Sequence, residues 1–468
     1  MTQTKTDHCA GASFRDPCGF VFFRDGRLLR QINRPYKENY ELGNNSGLYE
    51  SLINRGDLIA HEEVDEQPFS DTEEAAISII KPDPIPFISY PYEWCFSQLK
   101  DAALLTLTIQ ERAFEHGMIL KDASAYNIQF MNGKPIFIDT LSFERYTQGE
   151  PWVAYRQFCQ HFLAPLALMS RCDVRCGLLS KTFLDGVPLD FAAKSLPFLA
   201  CLKPSLFMHV YLHAKSQKKY STAQPGSRRR GISRTGFSAI VASLKSAVES
   251  LRWKPGGTEW ADYYHATNYA DSAFEHKKKL LREYLEQKKK VNVAWDIGAN
   301  SGVFSRIIAE RNITTVAFDM DPSAVEYNYT QCKEKQETNL LPLVQDITNP
   351  SPAIGWANAE RDGLSDRQRP DLVLALALIH HLVISNNLPL SRIAAYFSSL
   401  TSSLIIEFVP KEDSQVKRML ESRKDVFPNY NQESFEQAFS KHFDIERKDA
   451  IVGTERTLYF MDRRSCGS

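Results

Sequence analysis

The chain has almost no net charge. Its 468 residues hold 56 lysines and arginines against 57 aspartates and glutamates, a formal charge of -1. Nothing global therefore points to nucleic acid or to an anionic membrane as partner. Long apolar runs are missing too. The opening MTQTKTDHCAGASFRDPC lacks the apolar core of a signal peptide, and no later stretch is apolar enough to span a bilayer, so a cytoplasmic location is expected. Cysteine is sparse and unpatterned. There are nine, an odd number, and Cys172 and Cys176 in CDVRC have no second pair to complete a zinc site, so reduced thiols are expected. No internal repeat is visible. What remains is ordinary: 43% hydrophobic and 24% charged residues exclude a mostly disordered chain. The length exceeds one ordinary core and predicts two or three domains.

One composition shift divides the chain. Ala214 to Gly236, AKSQKKYSTAQPGSRRRGISRTG, is basic, rich in Ser and Gly and nearly free of large apolar residues, as linkers and exposed loops are. Its Arg228–Arg230 run either meets a phosphate-bearing partner or is a solvated hinge. Beyond it, FSAIVASLKSAVESLRW and SAFEHKKKLLREYLEQKKK carry apolar residues three and four apart, which predicts two helices, the second with a heavily basic face. Between them, GGTEWADYYHATNYA is dense in Trp and Tyr, either a lid over a ligand or a packed staple. Five apolar segments follow, NVAWDI, TTVAFD, LLPLVQD, DLVLALAL and SLIIEFV, with helices expected near 302–311, 322–336, 389–400 and 413–423. Such alternation predicts an α/β fold with a parallel sheet covered by helices. HFDIERKDAI and RTLYFMDR, joined by VGTE, should close as an antiparallel hairpin.

The ligand-bearing candidate is VAWDIGANSGVFSRIIAE, Val293 to Glu310, a strand, a loop with two glycines, and a helix. In open α/β sheets ligands bind beyond the carboxyl ends of the strands, where the first loop meets a helix N-terminus. A phosphate loop needs a lysine after its second glycine, and none follows Gly302. A dinucleotide fingerprint needs G-x-G-x-x-G, and here Ala299-Asn300-Ser301 separates Gly298 from Gly302. Asp296 at the loop mouth would repel a pyrophosphate but suits a ligand bearing an ammonium and a sulfonium. Asp319 ends the second strand, where a carboxylate can take both ribose hydroxyls. Asp346 ends the third, where adenine's amino group can donate.

This arrangement resembles the class I S-adenosylmethionine-dependent methyltransferases over about Val291 to Arg463. The resemblance implies a Rossmann-like seven-stranded sheet ending in an antiparallel hairpin, with S-adenosyl-L-methionine as cofactor. Asp296, Gly298, Asn300 and Gly302 would frame its methionine end, Asp319 its ribose, and Asp346 with Ile347 its adenine. Asn300-Ser301 stands where many members have a further glycine. Catalysis would be mostly alignment of a nucleophile with the methyl carbon, plus proton removal from an alcohol. In LALIHHLVISNN, His380 and His381 lie where the family meets its substrate, and His381 is the preferred base, His380 the alternative. Glu407 and Lys411 in IIEFVPKED occupy the next strand end; Glu407 either holds a substrate hydroxyl or anchors the sheet.

The front half answers to another chemistry. EWCFSQLKDAALLTLTIQERAFEHG reads as a long helix ending at glycine, and NIQF and PIFID as a hairpin about an Asn-Gly turn. Asp122, Asn127 and Asp139 flank that hairpin. They look like the catalytic and metal loops of the protein-kinase-like fold in the aminoglycoside-phosphotransferase style. The resemblance implies an α+β domain with Asp122 as catalytic acid and Asn127 and Asp139 as magnesium ligands for Mg-ATP. Leu120 and Lys121 replace the usual His-Arg. Upstream the pattern breaks. VFFRDGRLLRQI is a tight hairpin with one glycine rather than a glycine-rich loop, and Lys81 and Glu50 are only weak counterparts of the paired lysine and glutamate. SFERYTQGEPWVAYRQFCQHFLAPLAL reads as buried helices with Arg156 and His161 on a polar face.

Three readings of the front half stay open: an active small-molecule or glycan kinase, a kinase-shaped module that binds nucleotide or methyl acceptor, or an accidental spacing with the acids capping turns. The expected layout is a kinase-like domain over 1–213, a linker over 214–236, a helical connector or lid over 237–290 and a methyltransferase domain over 291–468. The fusion resembles a bacterial family of methyltransferases related to nodulation proteins. It implies methyl transfer to a small-molecule or glycan acceptor. Enzymes that cap bacterial surface glycans combine kinase and methyltransferase activities, so phosphorylation followed by methylation is a second possibility, and a non-catalytic metabolite-sensing scaffold a third.

Overall fold

Asp25 and Gly26 both take left-handed backbone angles, φ 51° and 76°, and so close the tight hairpin expected at VFFRDGRLLRQI. A computed structural model describes residues 7–69, 76–215, 231–256, 271–288, 290–421 and 424–464. The WADYYHATNYA segment and the Arg228–Arg230 run lie outside these residues. The chain divides into two units, Met1–Lys254 with Ala353–Asp362, and Pro255–Pro352 with Gly363–Ser468.

In the first unit, β1 (His8–Cys9), β2 (Gly19–Arg24), β3 (Arg27–Asn33), β4 (His61–Glu63) and β5 (Ala76–Pro82) form an antiparallel sheet in the order β1-β2-β3-β5-β4. Helices Lys37–Asn45 and Leu48–Asn54 follow β3. The long helix Phe96–Glu115 buries Leu99, Ala102, Ala103, Leu107 and Ala113 and stops where Gly117 takes φ 75°. Two small hairpin-like pairs follow: β6 (Met118–Leu120) with β9 (Phe143–Arg145), and β7 (Ile128–Met131) with β8 (Lys134–Phe137). Asn132 and Gly133 (φ 53° and 74°) turn the latter. Helix Arg234–Ser250 belongs to this unit, where Phe237 stacks on Phe114 at 4.5 Å and Lys245 pairs with Glu111 at 2.7 Å. The connector expected over 237–290 is therefore divided: helix Asp271–Gln287 belongs to the second unit.

The second unit is built on β10 (Val293–Ile297), β11 (Thr314–Asp319), β12 (Leu340–Val344), β13 (Leu372–Ala375), β14 (Ser403–Phe408), β15 (Phe443–Ala450) and β16 (Thr457–Arg463). Their order is β12-β11-β10-β13-β14-β16-β15. The first five run parallel, while β16 lies antiparallel to both β14 and β15. β10, β13 and β14 are buried throughout, as strands covered on both faces must be, which explains their unbroken apolar runs. Helices Val303–Ala309, Pro322–Lys335, Leu390–Leu400 and Ser414–Glu421 stand within a few residues of the expected positions. Helix Gln432–Phe439 was not expected; Asn431 caps it by accepting from the Ser434 amide at 2.9 Å. The seam between β12 and β13 also departs from expectation. Residues 353–362 leave the second unit for the first, pinched by an Ile354–Arg361 bridge.

Candidate functional site

The glycine loop is shaped by its own backbone. Gly298 and Ala299 donate their amides to the Phe318 carbonyl, at 2.9 and 3.0 Å, which ties the loop to the end of β11. Gly298, Asn300 and Gly302 all have positive φ, 80°, 48° and 76°, so the chain turns twice before helix Val303–Ala309 begins. Asp319 joins the same loop: its Oδ2 accepts from the Asn300 amide at 2.7 Å and its Oδ1 from the Asp321 amide at 2.9 Å. The Met320 amide also bonds this carboxylate, so three of its four lone pairs are taken and one is left for a ligand hydroxyl. Asp296 lies deeper, 2% exposed, and accepts from the Ser305 hydroxyl at 2.6 Å.

A cavity of about 360 Å³ opens at the carboxyl ends of β10 to β13. Asp296, Gly298, Asn300, Asp319, Asp346 and Ile347 all line it, together with Met320 and Thr348. Gly302 does not line it; it starts the helix. Asp346 accepts from both the amide and the hydroxyl of Thr348, at 2.8 and 2.7 Å. Burial pushes the Asp296 carboxyl up to about 7, against the pull of the Ser305 hydrogen bond and with Asp319 adding to it. Burial likewise raises Asp319 to about 6. An acid-lined cavity with apolar walls from Phe274, Phe304, Leu376 and Leu378 fits a ligand that is cationic at one end and aromatic at the other.

The histidines separate. His381 lines the cavity, while His380 is buried at 1% exposure with Nδ1 unpartnered among the described residues. Their rings lie 4.1 Å apart. Burial first, then Arg456, holds His381 down to about 4, and burial holds His380 well below the usual imidazole range. Both are neutral near pH 7. His381 can accept a hydrogen bond there but is a weaker base than its sequence position implied.

Glu407 is fully buried beneath the cavity and does not line it. It bonds the Lys277 ammonium, accepts from the Ala377 amide at 2.8 Å, and faces Arg456 at 3.4 Å; Arg456 continues to Asp413 at 2.7 Å. Of its two expected roles, this is the sheet anchor. Lys411 points elsewhere, to Asp425 at 2.7 Å. Lys277, absent from the sequence reading, lines the cavity and is 3% exposed. Its helix looked like a solvated basic face, yet Phe274, Lys277, Leu281 and Tyr284 fall on one stripe at spacings of three and four, and that signal was there to be used. Burial pulls its ammonium down.

In the first unit, Asp122, Asn127 and Asp139 are gathered about the β7–β8 hairpin. Asp122 accepts from the Ser124 amide at 2.8 Å, and its carboxyl is raised, by burial first and then by Asp139. The Asn127 amide donates to the Ser142 hydroxyl at 3.1 Å, and that hydroxyl donates to Asp139 Oδ2. Asp139 Oδ1 is held by Arg30 of β3 at 2.5 Å. Arg30 and the Leu141 amide take up both lone pairs of Asp139 Oδ1, and the guanidinium already neutralises the carboxylate, so these residues as placed do not suit a magnesium ion, although Ser142 is the one donor to Oδ2 among the described residues. Among the described residues no group of three or more His, Cys, Asp and Glu is placed to hold a metal. The expected pairing of Lys81 with Glu50 is not formed: Lys81 meets Glu62 at 3.0 Å across β4 and β5, while Glu50 is exposed. His161 is buried beside Tyr126 and held at about 4 by burial, and Arg156 bonds Gln160 at 3.2 Å on the surface. Cys172 and Cys176 are free thiols. No helix among the described residues is long and apolar enough to cross a membrane.

Residues 353–362 add side chains that no motif announced. Glu360 pairs with Arg15 in the β1–β2 loop at 2.5 Å, the Arg361 guanidinium lies 4.3 Å over the Tyr126 ring, and the Asp362 amide donates to Tyr90 at 2.9 Å.

These features define an α/β protein whose parallel sheet carries an acid-lined cavity at the carboxyl ends of its strands. The chain belongs to the family of the nodulation protein NoeA of Rhizobium meliloti (strain 1021), being 35% identical to it over 457 residues, 96% of this chain and 95% of that protein. No family model matches the chain. Among solved structures it is similar to the bifunctional kinase-methyltransferase WbdD, at 14% identity and a TM-score of 0.30. That match covers 46% of this chain and 45% of the other, so it spans less than half of the solved chain. It is also similar to the N-methyltransferase NodS of Bradyrhizobium japonicum WM9, at 12% identity over 42% of this chain and 98% of that one, with a TM-score of 0.31. Scores of 0.30 and 0.31 are too low to establish a shared fold.

Proposed function

We propose that the chain is an S-adenosylmethionine-dependent methyltransferase acting on a hydroxyl or amine of a small molecule or glycan. The observation that supports this most is the convergence of Asp296, Asp319 and Asp346, from the ends of three adjacent parallel strands, on one cavity of about 360 Å³. The strand order, with β16 inserted antiparallel between β14 and β15, agrees with the class I resemblance. When bound, the cofactor supplies an electrophilic methyl group on a sulfonium. Asp296 faces its cationic end, Asp319 accepts from a ribose hydroxyl, and Asp346 accepts from the adenine amino group. Phe274 and Phe304 exclude water from the transfer path. His381 accepts the hydrogen bond of an acceptor hydroxyl and orients it.

The first unit is read as a kinase-like module that recognises acceptor or nucleotide, and residues 291–468 as the methyltransferase domain apart from the 353–362 excursion. The test is calorimetric titration of the full chain with S-adenosylhomocysteine, repeated with Asp319→Ala. One site per chain, weakened at least about tenfold in the variant, corresponds to ~1.4 kcal/mol lost with the ribose contact. If neither S-adenosylmethionine nor its product binds at millimolar concentration, the reading fails.

A further inference from the structure

The kinase-like resemblance implies a divalent cation at Asn127 and Asp139, and the Asp139 carboxylate is already paired with an arginine. Arg30 projects from the middle of β3 and brings two nitrogens to the loop that follows β8: Nη2 to Asp139 Oδ1 at 2.5 Å and Nη1 to the Thr140 hydroxyl at 3.2 Å. Arg30 is 14% and Asp139 18% exposed, so the pair is largely withdrawn from water, where opposite charges hold one another more strongly than on a surface. Oδ1 also accepts from the Leu141 amide at 3.2 Å, and Oδ2 accepts from the Ser142 hydroxyl. Ser142 in turn accepts from the Asn127 amide nitrogen, which links Asn127 to Asp139 through one hydroxyl.

We propose that the Arg30 guanidinium occupies, in charge and in place, the position a divalent cation would take, and that the first unit holds its ligand without a metal. Phosphoryl transfer in this fold relies on cations bridging the phosphates. Arg30 is not placed to do that, because its two terminal nitrogens are already bonded to Asp139 and Thr140. Of the open readings, the binding module follows. This inference does not depend on methyl transfer by the second unit.

Manganese(II) titrated into the full chain and followed by electron paramagnetic resonance tests it without any activity assay. The wild type should show no site that Asp139→Asn removes. Arg30→Gln should gain one site per chain, lost again in the Arg30→Gln/Asp139→Asn double variant. A wild-type site that Asp139→Asn abolishes overturns the proposal, and so does an Arg30→Gln protein that folds yet gains none. If Arg30→Gln does not fold, Ser142→Ala decides: it frees Oδ2 while leaving Arg30 in place, and should gain no site. Manganese binding there would show that Ser142, not Arg30, keeps the cation out.

Discussion

The carboxyl of Asp296 makes cofactor binding depend on pH in a way that can be worked out beforehand. With the cavity empty it titrates near 7, raised chiefly by burial. Bringing an ammonium or sulfonium against it favours the ionised form, so binding expels whatever proton is present. The ionised fraction of a group at 7 falls from about nine-tenths near pH 8 to about one-tenth near pH 6, so affinity should fall about tenfold, ~1.4 kcal/mol. Asp319, near 6, adds about a further factor of two at the acid end. The stability of the empty protein runs the other way. Its folded carboxyl lies above the ~3.9 of an unfolded aspartate, so this contribution is complete below about pH 4 and lost as pH rises through 7. Calorimetry with S-adenosylhomocysteine at three pH values, on the wild type and on Asp296→Asn, reads the effect directly. The variant cannot titrate there and should bind weakly but with a pH slope reduced to the Asp319 share. A wild-type affinity flat between pH 6 and pH 8, or an unchanged slope in Asp296→Asn, would refute the reasoning.

Three other outcomes follow from the geometry. Glu407→Gln leaves Lys277 and Arg456 buried with their shared carboxylate gone, and should cost about 3–5 kcal/mol in denaturant unfolding, where a loss under about 1 kcal/mol would mean the cluster relaxes freely. Gly302→Ala forces a left-handed residue whose Cβ would meet the Asn328 side chain at 2.4 Å, so about 2 kcal/mol should be lost. A melting temperature equal to wild type would contradict that. Glu360→Ala removes the partner of Arg15, which is 65% exposed, so global stability should barely move. Faster amide exchange confined to residues 10–18 is the expected sign, and unchanged exchange there would deny the 353–362 segment any hold on that loop.

Much of the second unit was legible because its signals are local. DIGANSG could be read as a ligand loop since Asp296, Gly298 and Asn300 lie within five residues, and their backbone angles depend on little beyond them. The closing hairpin was visible in VGTE for the same reason. The first unit was harder. Asp25-Gly26 and Asn132-Gly133 announced their turns, yet Arg30 gave no sign of its role, because its partner Asp139 lies 109 positions further along (139 minus 30). The Lys81 and Glu50 guesses failed on the same ground: strand pairing, not spacing, chose Glu62 for Lys81.

Chain order and residue type by themselves determined the α/β alternation, the two glycine-bearing turns and the three acids at successive strand ends, all of which follow from periodicity and backbone freedom within about ten residues. Tertiary structure alone decided which charges were paired and which faced the cavity. Lys277 was drawn from a basic helix into the cavity wall, Glu407 was sealed beneath it, His381 was separated from His380, and Arg30 was set against Asp139. Burial fixes the protonation of such groups, and burial is a property of the whole packed unit that no short window of sequence contains.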